Sequence, residues 1–165
     1  GDVNIEMSTE YPFGNGVSVN VKAAPDKKIT LSLEKTSWMK NYVVKVNGKS
    51  VKYDDADGLA KVTRRFKAGD KLTVSFEMAP RYEGMVNSEN SNPGDFRVMY
   101  GPIVLACGVG DDTNVAYGEE FGGSVRESFK GNKSGVVLSP LYHLMSPKVN
   151  MAAQPPFSRR IVFTK

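Results

Sequence analysis

Leu72-Thr73-Val74-Ser75-Phe76-Glu77-Met78 is the stretch that decides the fold. Large apolar side chains take every second position, and polar ones fill the gaps. Successive side chains of an extended chain point to opposite faces, so this pattern makes one apolar face and one polar face. The stretch reads as a strand that buries Leu72, Val74, Phe76 and Met78. Lys71, Thr73, Ser75 and Glu77 face solvent or a partner surface.

The same period continues outward in both directions. Val3, Ile5 and Met7 alternate with Asn4, Glu6 and Ser8, which predicts a half-buried strand. After the turn at Tyr11-Pro12-Phe13-Gly14-Asn15-Gly16, Val17, Val19 and Val21 restart the alternation. Ala24-Pro25-Asp26-Lys27 turns the chain again before Ile29, Leu31 and Leu33. Val44 and Val46 carry a fourth strand into Asn47-Gly48, the strongest hairpin signal in the chain, with Val51 and Tyr53 in the returning arm. Residues 54–58 read as a polar loop, 59–66 as a strand, and Ala68-Gly69-Asp70 as a tight turn.

Beyond Met78 the pattern is less regular. Residues 80–95 read as a long loop of the kind that carries binding roles on rigid scaffolds. Residues 96–109 read as a long apolar strand that bends or bulges at Gly101-Pro102. Residues 110–135 hold six glycines and five acids, with a short strand expected at 124–129. Val136-Val137-Leu138 forms another strand, residues 141–145 a turn of helix, residues 147–157 a Pro-rich stretch, and residues 160–164 a last strand. With no internal repeat and no long amphipathic helix, the expected fold is all-β: a jelly-roll-like β-sandwich of mostly antiparallel strands, each sheet burying one face. Residues 1–165 are expected to form one domain.

Composition narrows the function. The 165 residues are 40% hydrophobic and 24% charged, as in a globular protein. The net charge of +4 spreads over 22 basic and 18 acidic residues without a basic stripe, which argues against nucleic acid. No apolar run approaches the ~20 residues that span a membrane, so no membrane insertion is expected. One cysteine excludes an internal disulfide. The Gly1-Asp2-Val3 opening, without an initiator Met, reads as the scar of tag removal on an excised piece of a longer chain.

Chemistry is sparse. His143 and Cys107 are the only soft metal ligands, too few for a zinc site, and Cys107 ends the most hydrophobic segment as a core thiol would. Serine-triad motifs and Gly-rich phosphate loops are absent from the sequence. Acids are plentiful (Asp54, Asp55, Asp57, Asp70, Glu83, Glu89, Asp95, Asp111, Asp112, Glu119, Glu120), so a glycosidase pair has raw material. Most of them sit in turns, where carboxylates cap backbone groups. Asp54-Asp55-Ala56-Asp57-Gly58 resembles a calcium loop but lacks the full donor spacing and the closing Glu. Trp38, Tyr42, Tyr82 and Tyr117 offer flat faces for sugar rings or for interfaces. Asn132-Lys133-Ser134 fits the glycosylation sequon.

Several motifs in order resemble one family. Tyr11-Pro12-Phe13, Leu33-Glu34-Lys35-Thr36-Ser37-Trp38 and Val46-Asn47-Gly48 come first. Gly58, Leu59, Val62, Arg64, Phe66, Gly69 and Asp70 then match the spacing of Gly-Tyr-x-x-Ile-x-Arg-x-Trp-x-x-Gly-Asp. Phe76-Glu77-Met78 with Arg81, and Tyr100-Gly101-Pro102-Ile103-Val104-Leu105, complete the set. Together they are similar to the C-terminal β-sandwich region of the beta-L-arabinofuranosidase family, glycoside hydrolase family 127. The family-like core spans residues 1–109, and residues 110–165 form an extension that completes the sheets. Leu59 and Phe66 keep the apolar bulk of the family's Tyr and Trp, whereas Glu34-Lys35-Thr36 changes the charge and stiffness of the family's Arg-Ile-Pro.

The resemblance implies a non-catalytic accessory domain of a multidomain glycoside hydrolase. Catalysis in that family is assigned to a preceding (α/α)6 barrel, with a cysteine nucleophile in a zinc site. None of those residues can be carried onto this sequence, so no catalytic, cofactor-binding or metal-binding residue is expected here, and no cofactor. The expected partner is the helical-barrel domain of the same parent chain, together with a plant-derived glycan. Trp38, Tyr82 and Arg81 are the candidate carbohydrate or interdomain contacts. The alternative is an autonomous carbohydrate-binding module with exposed aromatics. Such a hydrolase implies a periplasmic or secreted parent.

Overall fold

A computed structural model of the protein describes residues 1–85, 92–108, 114–144, 159–160 and 162–164. The described residues are all-β but for one helical turn, a jelly-roll-like β-sandwich arrangement in which each strand pairing among them is antiparallel. The chain divides into two compact units, Gly1–Met78 and Ala79–Lys165. The family-like stretch therefore runs through the first unit and into the second.

In the first unit β1 (Asn4–Thr9), β2 (Gly16–Ala23), β3 (Lys28–Glu34), β4 (Lys40–Val46), β5 (Lys49–Ser50), β6 (Asp54–Ala56), β7 (Leu59–Arg65) and β8 (Lys71–Glu77) follow in order. A five-stranded sheet runs β1-β2-β8-β4-β5, and a three-stranded sheet runs β3-β7-β6. The motif that opened the reading is thus the central strand of the larger sheet. Leu72, Val74 and Phe76 on β8 are buried with Val19, Val21, Val44 and Val46 from its two neighbours. Ala60, Val62 and Phe66 join that core from the smaller sheet, with Ile29, Leu31 and Leu33 half-buried around them. Each such side chain withdrawn from water contributes about 1.5–3 kcal/mol.

Turn chemistry matches the hairpins. Asn47 and Gly48 take positive φ values of 51° and 79°, as a two-residue hairpin loop requires. Asp57 and Gly58 do the same at 59° and 72°. That second turn corrects the expected loop at 54–58. Residues Asp54–Ala56 pair with β7, and only Asp57-Gly58 forms the turn. The acids hid the strand because their partners are lysines: Lys35 pairs with Asp55 and Lys61 with Asp57. The resemblance to a calcium loop ends there.

β1 also departs from expectation, since all its residues are exposed. Ile5 and Met7 stand opposite the buried Val21 and Val19, so they share the core face of the larger sheet. The smaller sheet has fewer strands and leaves this edge uncovered.

The second unit holds β9 (Pro80–Gly84), β10 (Phe96–Tyr100), β11 (Ile103–Gly108), β12 (Phe121–Gly123), β13 (Phe129–Gly131), β14 (Val137–Pro140), the one-turn α1 (Leu141–Leu144) and β15 (Arg159–Arg160). The sheet order is β12-β13-β14-β11-β10-β9, with β15 against β11. Phe96, Val98, Leu105, Leu138 and Phe163 are its buried centre. Phe163 exchanges backbone hydrogen bonds of 2.8 Å with Phe96 in both directions. The start of the long loop expected at 80–95 is instead β9, whose Arg81-Tyr82-Glu83 has no large apolar alternation to betray it, and residues 86–91 lie outside the described residues. The expected continuous strand over 96–109 is a hairpin: Tyr100 faces Ile103 across Gly101-Pro102, with Gly101 at φ 54°. Of the strand expected at 124–129 only Phe129 is in a strand, β13; residues 124–128 form the turn from β12, where Glu127 N–H donates to the Ser124 carbonyl. The Pro-rich stretch 147–157 lies outside the described residues.

Leu72→Ala is expected to destabilise the first unit by about 2–5 kcal/mol, the range for emptying a buried leucine site. Ser75→Ala on the opposite face should stay within about 0.5 kcal/mol. Urea unfolding followed by the fluorescence of Trp38, the only tryptophan, checks both.

Candidate functional site

The turn between β3 and β4 places Trp38 beside Tyr11, with ring centroids 6.4 Å apart and planes within 4°. Tyr11 meets the edge of Phe76 at 6.1 Å, Phe76 lies parallel to Tyr42 at 6.0 Å, and Tyr42 meets Tyr53 at 5.8 Å. Lys35 sits 5.9 Å and 5.6 Å from the Tyr42 and Tyr53 rings. A cleft of about 240 Å³ lies against this row, lined from both sheets by Met7, Thr9, Tyr11, Leu33, Met39, Tyr42 and Phe76 among others.

Two hydroxyls on its wall, those of Thr9 and Tyr42, are already engaged. Thr9 donates to the Gly16 carbonyl at 2.8 Å and accepts from Tyr11 N–H at 3.0 Å. Tyr42 donates to the Glu34 carbonyl at 3.0 Å. Burial, helped by nearby Tyr53, Glu34 and Asp55, pushes the Tyr42 phenol up to about 12. Such a group stays protonated, and the cleft wall is mainly apolar, with Glu34 as its one carboxylic residue.

Tyr82 and Arg81 lie on β9 in the second unit. Tyr82 OH donates to the Glu119 carbonyl at 2.7 Å and to the Ala116 carbonyl at 3.3 Å. Its ring packs 5.0 Å from Tyr117 and 5.4 Å from Phe96, and burial pushes its phenol up to about 12. Arg81 donates to the Gly101 carbonyl and lies 3.4 Å from Glu83, which Arg97 approaches at 2.9 Å from the facing position on β10. These aromatic and charged groups are thus tied into the unit's own framework.

Asp95 and Glu119 are the buried acids described in this unit, and the more deeply buried is Glu119. Its carboxylate accepts from Ala116 N–H (2.9 Å), Lys133 N–H (2.8 Å), Ser134 N–H (3.0 Å) and the Ser134 hydroxyl (2.6 Å). Burial alone would raise its pKa, but the donors from Ser134, Lys133 and Ala116 together hold it below the usual carboxylate value. A Cβ on Gly131 would come within 2.5 Å of this carboxylate, so glycine is required there. The Ser of the Asn132-Lys133-Ser134 sequon is therefore part of a loop staple. No local pattern in the sequence distinguishes Glu119 from its neighbour Glu120; the fold does, by aiming backbone donors at one of them.

Cys107 is buried on β11, and the exposed His143 on α1 rests on the Tyr142 ring at 4.3 Å. Among the described residues no group of three or more His, Cys, Asp or Glu side chains could hold a metal ion. No helix among them is long and apolar enough to cross a membrane. Glu89, Asp111 and Asp112 lie outside the described residues.

Residues 1–78 match the family model described as beta-L-arabinofuranosidase, GH127 middle domain. The match ends where the first compact unit ends. It corrects the expected C-terminal origin: the matching region of the family is the middle one. Strand periods and turn motifs encode a fold, whereas the place of that fold within a longer chain leaves no mark on them. No curated protein matches the chain.

Solved structures are similar as well, among them the following three. A GH127 beta-arabinofuranosidase superposes with a TM-score of 0.72 at 20% identity, over 98% of this chain and 31% of its own. A glycoside hydrolase gives 0.74 at 16% identity, over 99% and 32%. A GH127 beta-L-arabinofuranosidase from Geobacillus stearothermophilus T6 gives 0.61 at 20% identity, over 98% and 27%. At these identities the likeness is one of fold, and this chain spans about a third of their length or less.

The Glu119 staple has a pH signature. Its lowered pKa contributes stability that is present above the ordinary carboxylate value of ~4.3 and is lost as pH falls through the folded value. Hydrogen-exchange protection of the Ala116, Lys133 and Ser134 amides should therefore collapse in acid. Glu119→Gln should weaken that protection at neutral pH and remove its acid step. Protection indifferent to both would refute the staple.

Proposed function

We propose that this chain is a non-catalytic β-sandwich part of a multidomain glycoside hydrolase of the GH127 beta-L-arabinofuranosidase type. It packs against and supports a catalytic (α/α)6 barrel, and Trp38, Tyr82 and Arg81 are its candidate interdomain or sugar-facing residues. The observation that carries this reading is the family match over residues 1–78, which bears the description of a middle domain. The short share of the similar hydrolases that this chain spans supports it as well. So does the exposed apolar row Val3, Ile5 and Met7, a surface that suits a neighbouring domain.

An autonomous carbohydrate-binding module draws less support. A sugar platform needs aromatic faces with unspent polar partners beside them. Here Trp38 stacks on Tyr11, and the Tyr42 and Tyr82 hydroxyls are bonded inward. A parent acting on plant glycans outside the cytoplasm is part of the same proposal.

The purified chain should release no p-nitrophenol from p-nitrophenyl beta-L-arabinofuranoside above the buffer rate, and should give no heat on calorimetric titration with L-arabinose. Turnover that survives repurification would overturn the non-catalytic reading. Saturable heat would move the assignment to the binding module.

A further inference from the structure

We propose that the outer face of the five-stranded sheet, where Lys45, Lys52 and Lys71 gather, binds a carboxylate-bearing polysaccharide, a polyuronate. This deepens the reading above by naming the kind of glycan such a domain holds, and it rests on that reading.

The face exists only once the strands assemble, because its lysines are far apart in sequence. Lys45 on β4 stands opposite Thr73 on β8, and Lys71 lies two residues before Thr73. Their neighbours Val44, Val46, Leu72 and Val74 are buried, so Lys45, Thr73 and Lys71 point the other way. On the other flank Ser50 of β5 stands opposite Lys45. Val51 N–H donates to the Val44 carbonyl at 3.0 Å, and Val51 and Tyr53 pack on the core, which turns Lys52 to the outer face. Lys52 and Lys71 are therefore diagonal neighbours of Lys45, each about 7–8 Å away across the ladder. That is inside the Debye length of ~10 Å at 0.1 M salt, so the three charges act together.

The three lysines are exposed and have no ion pair among the described residues. The acids around them are engaged elsewhere. Lys22 holds Glu6 at 2.7 Å, and Asn41 donates to Glu77 at 2.7 Å. Asp70, beside Lys71, accepts from Asn47 and from Lys67 N–H. Three ammoniums set this close without a bound counter-charge attract an anion.

Hydroxyl groups surround the charges. Ser8, Ser18, Thr73, Lys45 and Ser50 stand opposite one another in a row that crosses all five strands. An open hollow of about 410 Å³ adjoins this row, lined by Ser8, Gly16, Ser18 and Thr73 among others. Glu10 borders the hollow on the β1 side, away from Lys45 on β4. Thr73 thus belongs to the hollow and stands opposite Lys45, which places hydroxyl contacts and charge side by side.

What the face lacks selects among anions. The outward positions of β2, β8 and β4 hold no aromatic residue, and Val43 is their one large apolar side chain. Nucleic-acid bases have nothing to stack on there. A protein partner lacks the aromatic or apolar centre of a stable interface. A neutral sugar likewise has no ring to lie against. A polyuronate needs none of these, because its carboxylates meet the lysines and its ring hydroxyls meet Ser and Thr.

The test is an NMR titration of the isotope-labelled 165-residue chain with tetragalacturonate at low salt. Shift changes are expected at the amides of Ser18, Lys45, Lys71, Thr73 and Ser75, and they should fade as NaCl rises from about 20 to about 500 mM. Lys45→Gln should weaken binding about twofold to fivefold, and Lys45→Gln, Lys52→Gln and Lys71→Gln together about tenfold or more. Lys28→Gln, which removes an exposed charge from the smaller sheet, should leave binding unchanged. The neutral methyl ester of the same tetrasaccharide should not bind. No shift changes with millimolar tetragalacturonate, or changes confined to other surfaces, would overturn the proposal. So would equal losses from Lys28→Gln and Lys45→Gln, because binding would then follow net charge alone. Hexaglutamate binding as tightly as tetragalacturonate would also overturn it, since the occupant would then be an acidic polypeptide. Release of p-nitrophenol would remove the proposed function without touching this result, and failed tetragalacturonate binding would leave the family match in place.

Discussion

The apolar face of β8 is the constraint on which the first unit depends. Leu72, Val74 and Phe76 sit between β2 and β4 and bury against the smaller sheet, so one strand joins both layers. Because side chains alternate, a slip of one residue in its register would bring Thr73, Ser75 and Glu77 inward and expose the core set. The partners fix the register further. Asn47 accepts from Lys71 N–H and donates to Asp70, and both bonds are 2.8 Å long. Asp70, its carboxyl held below the usual value by Asn47 and by Lys67 N–H, closes the turn into β8. The Val46-Asn47-Gly48 and Gly69-Asp70 motifs therefore act together: one hairpin turn and the turn that carries the chain from the smaller sheet into β8 pin the central strand at its start.

Much of this was legible because period two and turn chemistry speak through single residues. Val17, Val19 and Val21, then Ile29, Leu31 and Leu33, place β2 and β3 as expected, and Asn47-Gly48 marks its hairpin. Other features depend on partners that local pattern does not record. Asp54–Ala56 is a strand because it pairs with β7, with Asp54 opposite Lys61 in the ladder and Asp55 ion-paired to Lys35. Residues Pro80–Gly84 form a strand because Arg97 faces Glu83 across the ladder, a pairing between residues distant in sequence. Gly101-Pro102 reverses the chain instead of bending it, since a positive φ at Gly101 followed by proline suits a two-residue loop. Exposure of β1 is hardest to foresee, because its Val3-Ile5-Met7 alternation is that of a strand covered on one face. Only the number of strands in the opposing sheet leaves it bare.

The candidate site follows the same division. Trp38, Tyr82 and Arg81 are visible in the sequence as residue types, but their hydrogen bonds and ring contacts belong to the fold. The cleft beside Tyr11, Met39, Tyr42 and Phe76 carries no motif, since it is assembled from both sheets of the first unit. Its chemistry is that of apolar contact. The buried carboxylate Glu119 is spent on loop backbone. The proposed support domain would be consistent with these facts, and its β1 edge is exposed and apolar.

The most direct test of that account is amide hydrogen exchange measured on this chain alone and within the multidomain hydrolase proposed to contain it. The core strand Lys71–Glu77 should exchange slowly in both. Strand Asn4–Thr9 should exchange fast in the isolated chain and become protected in the longer protein. Equal exchange of Asn4–Thr9 in the two would contradict the claim that a neighbouring domain completes this edge.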